Sequence, residues 1–150
     1  MDKIFKTIEG IHVKVVEHTL DILKKCPYTS IHIGTDSQNR KNYTYYVTVI
    51  AYKYGNRGVH VIYHKYKIKK IKDKWSRLWK EAELSLEVAS WLKEQININI
   101  EIDLDYNEDP SFYSNILVNG AQGYINSFGF KSNIKPHSQI ATWAADWLCK

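Results

Sequence analysis

Cysteine is scarce in this sequence, and no long hydrophobic run occurs in it. The two cysteines, Cys26 and Cys149, form neither a CxxC motif nor a spacing typical of metal ligands. A disulfide framework is therefore not expected, and we interpret both as free thiols in a reducing compartment. No apolar run approaches the ~20 residues of a membrane-spanning helix. The first residues mix charged and apolar side chains, unlike a secretory signal, so we expect a cytoplasmic protein that does not bind membranes.

The chain also lacks internal repeats, low-complexity tracts and linkers, which predicts a single domain over residues 1–150. Hydrophobic residues make up 44% and charged residues 25%, so a core can form without disulfides or a structural metal. The 21 lysines and arginines exceed the 16 aspartates and glutamates, which gives a net charge of +5. This surplus suits a polyanionic partner, although many other cytosolic proteins share it.

Hydrophobic spacing predicts a helical extension at the N-terminus, over about residues 1–28. Apolar side chains recur every three or four positions over residues 4–23, which indicates a helix interrupted at Gly10. The β-branched stretch over residues 11–16 is also compatible with an extended strand.

The remaining pattern predicts an α/β domain with a mixed sheet of five strands flanked by helices. Three β-branched and aromatic segments joined by short polar turns favour an antiparallel meander. Helices and strands then alternate, so the later strands should run parallel to the first. The predicted strands cover residues 30–36, 43–54, 58–68, 96–104 and 129–134, and the predicted helices cover 74–95, 109–127 and a last segment that starts near 138.

An aspartate follows the first strand of the predicted meander. Asp36 comes directly after Gly34-Thr35, at the expected carboxyl end of that strand, where α/β sheets collect ligand-binding residues. The alternative is a turn-capping role, because Asp-Ser-Gln-Asn is typical turn sequence.

Three more aspartates are candidates for the same site. Asp103 and Asp105 lie two apart on a strand and project to one face, where like charges repel unless a cation lies between them. A solvated strand end would tolerate them without a cation. Asp146 follows Ala144 and Ala145, small residues that would let the last helix approach the sheet. A solvent-facing position is the alternative for Asp146.

The long helix over residues 74–95 offers three glutamates for one role. On a helical wheel Glu81 and Glu83 border the apolar stripe, whereas Glu87 points further away. We choose Glu81 as the candidate ligand and keep Glu83 in reserve. At least two of the three are expected to be ordinary surface residues.

Taken in order, these motifs resemble the ribonuclease H-like superfamily, and within it the YkuK-type family of small ribonuclease H-like proteins. The resemblance covers the chain from about residue 30 to its end, and the N-terminal helix is an addition. The segments that carry it are Ile33-Gly34-Thr35-Asp36-Ser37-Gln38, Ser85-Leu86-Glu87, Ile102-Asp103-Leu104-Asp105-Tyr106-Asn107, Ile134-Lys135-Pro136 and Ala144-Ala145-Asp146.

The resemblance implies a metal-dependent nuclease that hydrolyses phosphodiester bonds in RNA or DNA with two Mg²⁺ or Mn²⁺ ions. By this analogy Asp36 bridges both ions. Glu81 and one of Asp103 or Asp105 share one ion, and Asp146 holds the other. Ribonucleases H proper commonly have a glycine after the first aspartate, where this chain has Ser37.

Two points stay open alongside that analogy. His137, just before the last helix, is implied in proton transfer or product release, although a histidine at a helix start is more often structural. A catalytically inactive nucleic-acid-binding module, a protein-interaction domain and a phosphoryl-transfer enzyme are the alternatives to a nuclease.

A basic segment with interleaved aromatic residues runs from the third strand into the long helix. It can neutralise phosphates, or it can be a solvated loop whose tryptophans lie in the core. The candidate nucleic-acid-binding residues are Lys69, Lys70, Lys72, Lys74 and Arg77.

If this segment binds nucleic acid, replacing Lys69, Lys70 and Lys72 together with glutamate should weaken binding and flatten its salt dependence, because fewer counterions are released. Titration of a labelled oligonucleotide at several salt concentrations measures both quantities. An unchanged affinity would contradict the prediction.

Overall fold

The structure, a computed structural model, describes residues 1–106, 112–134 and 140–149. Within these ranges it contains strands and helices that largely follow the predicted order. The strands are β1 (Phe5–Thr7), β2 (His12–Val13), β3 (Ser30–Arg40), β4 (Tyr43–Lys53), β5 (Val59–Lys69), β6 (Ile100–Leu104) and β7 (Lys131–Ile134), and the helices are α1 (Val15–Lys25), α2 (Lys74–Gln95), α3 (Phe112–Ser127) and α4 (Ile140–Cys149).

The described strands form one mixed sheet in the order β2-β1-β5-β4-β3-β6-β7. The long strands β3, β4 and β5 pair antiparallel over their whole length, as the short polar turns predicted. β6 pairs parallel with β3, and β7 pairs parallel with β6. The predicted mixed α/β fold is therefore confirmed.

The N-terminal segment differs from the prediction of a helix, because its first half is a β-hairpin. β1 and β2 pair around Gly10, whose φ of 88° is easily adopted only by glycine. Ile8 and Ile11, whose spacing suggested a helical stripe, are exposed, whereas Phe5 is fully buried. β1 also pairs with β5, so the sheet contains seven strands in the described residues rather than five.

Strand β3 is longer than predicted and extends well past Asp36. Its pairing with β4 continues to Arg40, so Asp36 lies inside the strand and not at its end. Its pairing with β6 stops at Gly34, which is level with Asp103. Among the described residues, no strand pairs with β3 on its β6 side from Asp36 onward, so side chains from both faces of the sheet can approach one another along that edge.

The helices cover the sheet unequally. α1, α2 and α3 pack on one face and enclose the larger core, which includes Ile33, Ile50 and Leu92. α4 packs on the other face over a smaller cluster that includes Val49 and Ala145. None of the helices in the described ranges is long and apolar enough to cross a membrane.

Helix α4 lies so close to β3 that Gly34 has no room for a side chain. A Cβ atom there would lie 2.9 Å from both Cγ2 and the backbone nitrogen of Thr142, and 3.0 Å from Cβ of Ala141. Backbone atoms cannot move aside cheaply, so glycine is required at this crossing.

Replacement of Gly34 with alanine should lower the free energy of unfolding by ~1–3 kcal/mol, because the added methyl group overpacks the α4–β3 contact. Urea denaturation measures this difference. Gly123→Ala is the matched control, since no atom lies within 4 Å of a Cβ built there and alanine favours a helix. A Gly34→Ala protein as stable as the Gly123→Ala protein would show that α4 does not approach β3 this closely.

Candidate functional site

Four carboxylates from four different elements meet at the edge of β3 beyond the end of β6. Asp36 lies on β3, Glu81 on α2, Asp105 directly after β6, and Asp146 on α4. α2 and α4 lie on opposite faces of the sheet. Their acidic side chains can interact because none of the strands in the described ranges pairs with β3 on this side.

Asp36 interacts with each of the other three acids. The pKa of Asp36 is raised from the usual 3.8 to about 7, mainly by burial, and a hydrogen bond from the Ser37 backbone N–H opposes this shift. A hydrogen bond with Asp146 and the negative charges of Asp146 and Asp105 raise the pKa further. A proton, or a cation, is therefore favoured at this position near neutral pH.

Glu81 is almost fully buried, at 3% exposure, and its carboxylate is held in place by Ser37. Ser37 Oγ donates a hydrogen bond of 2.6 Å to Glu81 Oε1, and Arg77 Nη1 donates one of 3.0 Å to the same Oγ. Burial and then the charge of Asp36 raise the pKa of Glu81 well above 4.5, whereas Ser37 and Arg77 lower it. The charge of Asp105 adds to the upward shift.

Local sequence explains why α2 presents Glu81 to β3. Asp73 caps the helix, since its side chain accepts a 2.9 Å hydrogen bond from the Ser76 backbone N–H. Ser85, one turn after Glu81, shares a 2.8 Å hydrogen bond with Thr35. Residues four apart on a helix share a face, as do residues two apart on a strand. The Thr35–Ser85 and Ser37–Glu81 contacts therefore form side by side.

Asp103 belongs to a different network, although it projects from the same face of the sheet as Asp36. It is 1% exposed and accepts hydrogen bonds from Asn133 Nδ2 at 3.0 Å and from the Ala141 backbone N–H at 3.1 Å. His32 Nδ1 lies 3.3 Å from Oδ1, the oxygen that accepts from Asn133, whereas Ala141 donates to Oδ2. Asp103 thereby ties the first turn of α4 to β6, which is a role in positioning the helix.

The structure separates the remaining candidates. Glu87 is exposed and pairs with Lys3 at 2.9 Å, and Glu83 is exposed on α2. His137 lies outside the described residues, so its assignment stays a prediction. Of the predicted basic residues, Arg77 contacts Ser37 within the site. The other four are exposed around the end of β5 and the start of α2, namely Lys69, Lys70, Lys72 and Lys74.

Sequence reasoning did not identify the polar contacts that surround the carboxylates. Ser37 was noted only as a departure from the family pattern, and Asn133 was not considered. A usable signal was present, because Thr35 and Ser37 continue the alternation that Ile31 and Ile33 begin on the face of β3 toward the larger core. Polar residues at such positions need partners, and a glutamate and a serine one turn apart on α2 supply them.

The donor set suits a hard divalent cation, although no coordination shell is preformed. In the described ranges, no group of three or more His, Cys, Asp or Glu side chains is arranged to hold a metal ion. Carboxylate oxygens are nonetheless the ligands that Mg²⁺ and Mn²⁺ prefer. Carboxylates that are clustered and partly buried repel one another when all are charged. A bound cation relieves this repulsion. The residues present therefore fit such an ion.

A family model described as "Ribonuclease H-like" matches residues 13–150, which include every carboxylate of the site. No curated protein matches the chain.

The raised pKa of Asp36 predicts that the protein in a chelating buffer becomes less stable as pH rises from about 4 to about 7. The folded state favours the protonated carboxyl, so this stabilisation is present below the usual pKa of 3.8 and is lost as pH rises through the folded value. Asp36→Asn should reduce the loss by ~1–2 kcal/mol, allowing for partial exposure. Urea denaturation across this pH range measures it, with Asp21→Asn on the exposed side of α1 as the control. The same pH slope in both variants would contradict the assignment.

Proposed function

The chain belongs to the ribonuclease H-like family, and we propose that it is a metal-dependent nuclease that hydrolyses phosphodiester bonds in RNA or DNA. The observation that supports this activity best is the electrostatic cluster of Asp36, Glu81, Asp105 and Asp146 at one edge of the sheet. Structural ion pairs join opposite charges, whereas this cluster joins like charges at a cost in stability. Such an arrangement is characteristic of a site built to bind a cation.

We expect these four carboxylates to hold two Mg²⁺ or Mn²⁺ ions. Bound there, the ions would activate a water molecule and stabilise the leaving oxygen of the phosphodiester. Asp36 is the best candidate to contact both ions, because its carboxyl interacts with each of the other three acids. Asp105 is preferred to Asp103 as the ligand after β6, since Asp103 already accepts hydrogen bonds from Asn133 and Ala141.

The neighbouring residues of the chain position these ligands. Ser37 and Arg77 orient the Glu81 carboxylate through a continuous chain of hydrogen bonds. Asp103 fixes the start of α4, the helix that carries Asp146. Arg77 also places a positive charge next to the cluster, where it can approach a phosphate oxygen of the substrate.

A catalytically inactive nucleic-acid-binding module is the alternative function. Its support is the lack of a preformed metal arrangement in the described residues, together with the exposed lysines near the site. The two functions differ in one property that can be measured directly, which is the binding of a divalent metal.

Asp36→Asn and Glu81→Gln should each reduce metal-dependent cleavage at least ~100-fold, because each removes a charged ligand. The substrates are labelled single-stranded RNA, duplex DNA and an RNA–DNA hybrid, each in Mg²⁺ and in Mn²⁺. Glu83→Gln is the matched control, since this exposed glutamate lies two residues from Glu81 on the same helix and should leave cleavage unchanged.

Calorimetric titration with Mn²⁺ provides the second measurement. Binding by the wild type and its loss in Asp36→Asn would support a metal-dependent enzyme. Absence of both cleavage and metal binding in a folded wild-type protein would favour the binding module instead.

A further inference from the structure

The meander carries a second polar surface directly beside the carboxylate cluster. Residues directly opposite each other in the β3–β4–β5 register form rows across the sheet, and alternate rows project from the face that carries the Asp36 side chain. The row that begins with Asp36 on β3 continues through Val47 on β4 to Lys65 on β5. The next two such rows are Gln38–Tyr45–Lys67 and Arg40–Tyr43–Lys69.

We call Tyr43, Tyr45, Lys65, Lys67 and Lys69 the tyrosine–lysine face. The rows are two residues apart, which is ~7 Å along a strand, and adjacent strands are ~4.8 Å apart. Tyr45 therefore lies only ~8 Å from the Asp36 backbone by sheet geometry.

Helix α4 covers the row of Asp36 but leaves the tyrosines accessible. The Arg40 guanidinium donates to the carbonyl oxygen of Cys149, the last described residue of α4, so this arginine is occupied by the helix end. Tyr43 is 42% exposed and Tyr45 is half-buried. Their ring centroids lie 6.4 Å apart at 64°, an edge-to-face contact that leaves the rings unstacked on each other, and the Arg40 guanidinium lies 5.8 Å from the centre of the Tyr45 ring.

The lysines of this face have no acidic partner among the described residues. None of the ion pairs in those ranges involves Lys65, Lys67 or Lys69. Lys67 Nζ lies 4.5 Å from the centre of the Tyr43 ring, which keeps a positive charge beside an exposed aromatic surface. Three exposed cations in one line along β5 produce a positive potential next to the carboxylates.

We propose that the tyrosine–lysine face binds a single, unpaired nucleic-acid strand and leads it to the carboxylate cluster. The lysines neutralise successive phosphates, and the tyrosines stack on bases. A duplex keeps its bases stacked on each other and cannot use the two rings. The inference rests on the proposed nuclease function and adds to it the substrate class, which is a single strand of RNA or DNA.

The test measures binding in EDTA, where no metal-dependent cleavage can occur. Fluorescently labelled oligo(dT) and oligo(U) of about 16 nucleotides and a blunt duplex of mixed sequence are titrated with the full-length protein. The wild type should bind the single strands at least ~10-fold more tightly than the duplex.

The Tyr43→Leu/Tyr45→Leu protein should lose ~10-fold or more of its single-strand affinity and little of its duplex affinity, since stacking is lost and the lysines remain. The matched Tyr43→Phe/Tyr45→Phe protein keeps both rings and should bind like the wild type. Circular dichroism checks that both variants are folded. If the leucine protein is unfolded, the single variants Tyr43→Leu and Tyr45→Leu replace it.

A second arm tests the charges with the Lys65→Ala/Lys67→Ala protein. Its affinity should fall for both probes, and the slope of log affinity against log salt should decrease by about 1–2, as two phosphate contacts are removed.

The outcomes separate this inference from the proposed activity. Single-strand binding that depends on the two rings, without cleavage, would support the tyrosine–lysine face as a binding surface and contradict the nuclease function. Cleavage that is confined to duplex or hybrid substrates and is unaffected by the leucine variants would support the nuclease function and contradict single-strand binding by the tyrosine–lysine face. Equal losses for single strand and duplex, or no nucleic-acid binding at all, would overturn the inference and leave a protein partner as the occupant of this face.

Discussion

The site depends on the close contact between α4 and β3 at Gly34. The helix is held at its start by the hydrogen bond from the Ala141 N–H to Asp103, and at its end by Arg40. Between these two points it lies against the Gly34 backbone without room for a Cβ atom. Only in this position does Asp146 share a hydrogen bond with Asp36. Gly34 and the buried Asp103 therefore determine where the Asp146 carboxylate lies, although both are remote from Asp146 in sequence.

The second constraint is the different length of two parallel neighbours. β3 has 11 residues and β6 has 5, and their pairing ends at Gly34 and Asp103. Had β6 continued beside β3, its backbone would separate Glu81 on one face from Asp36 and Asp146 on the other. Because the pairing stops there, acids from both faces interact along an edge of β3 that no described strand covers. The same excess length of β3, paired with β4 and β5, produces the surface that carries Tyr43 and Tyr45.

Much of the fold and part of the site can be predicted from the sequence. The meander and the long helix have strong periodic patterns, and Glu81 was preferred because it borders the apolar stripe. The N-terminal hairpin was missed, because the spacing of exposed residues such as Ile8 and Ile11 imitates a helical stripe. That spacing carries no information about which side chains the rest of the protein buries.

The choice between Asp103 and Asp105 illustrates a limit of a different kind. Alternation on a strand predicts that both side chains project to one face. The pairing of Asp103 with Gly34 places the Asp103 side chain on the same face of the sheet as Asp36. Asp103 is held by Asn133, His32 and Ala141, which lie far away in sequence. The charge of Asp105, in contrast, acts on Asp36 and Glu81. The contacts that the fold assembles, and not the residue type, thus connect Asp103 to the start of α4 and leave Asp105 within the acidic cluster.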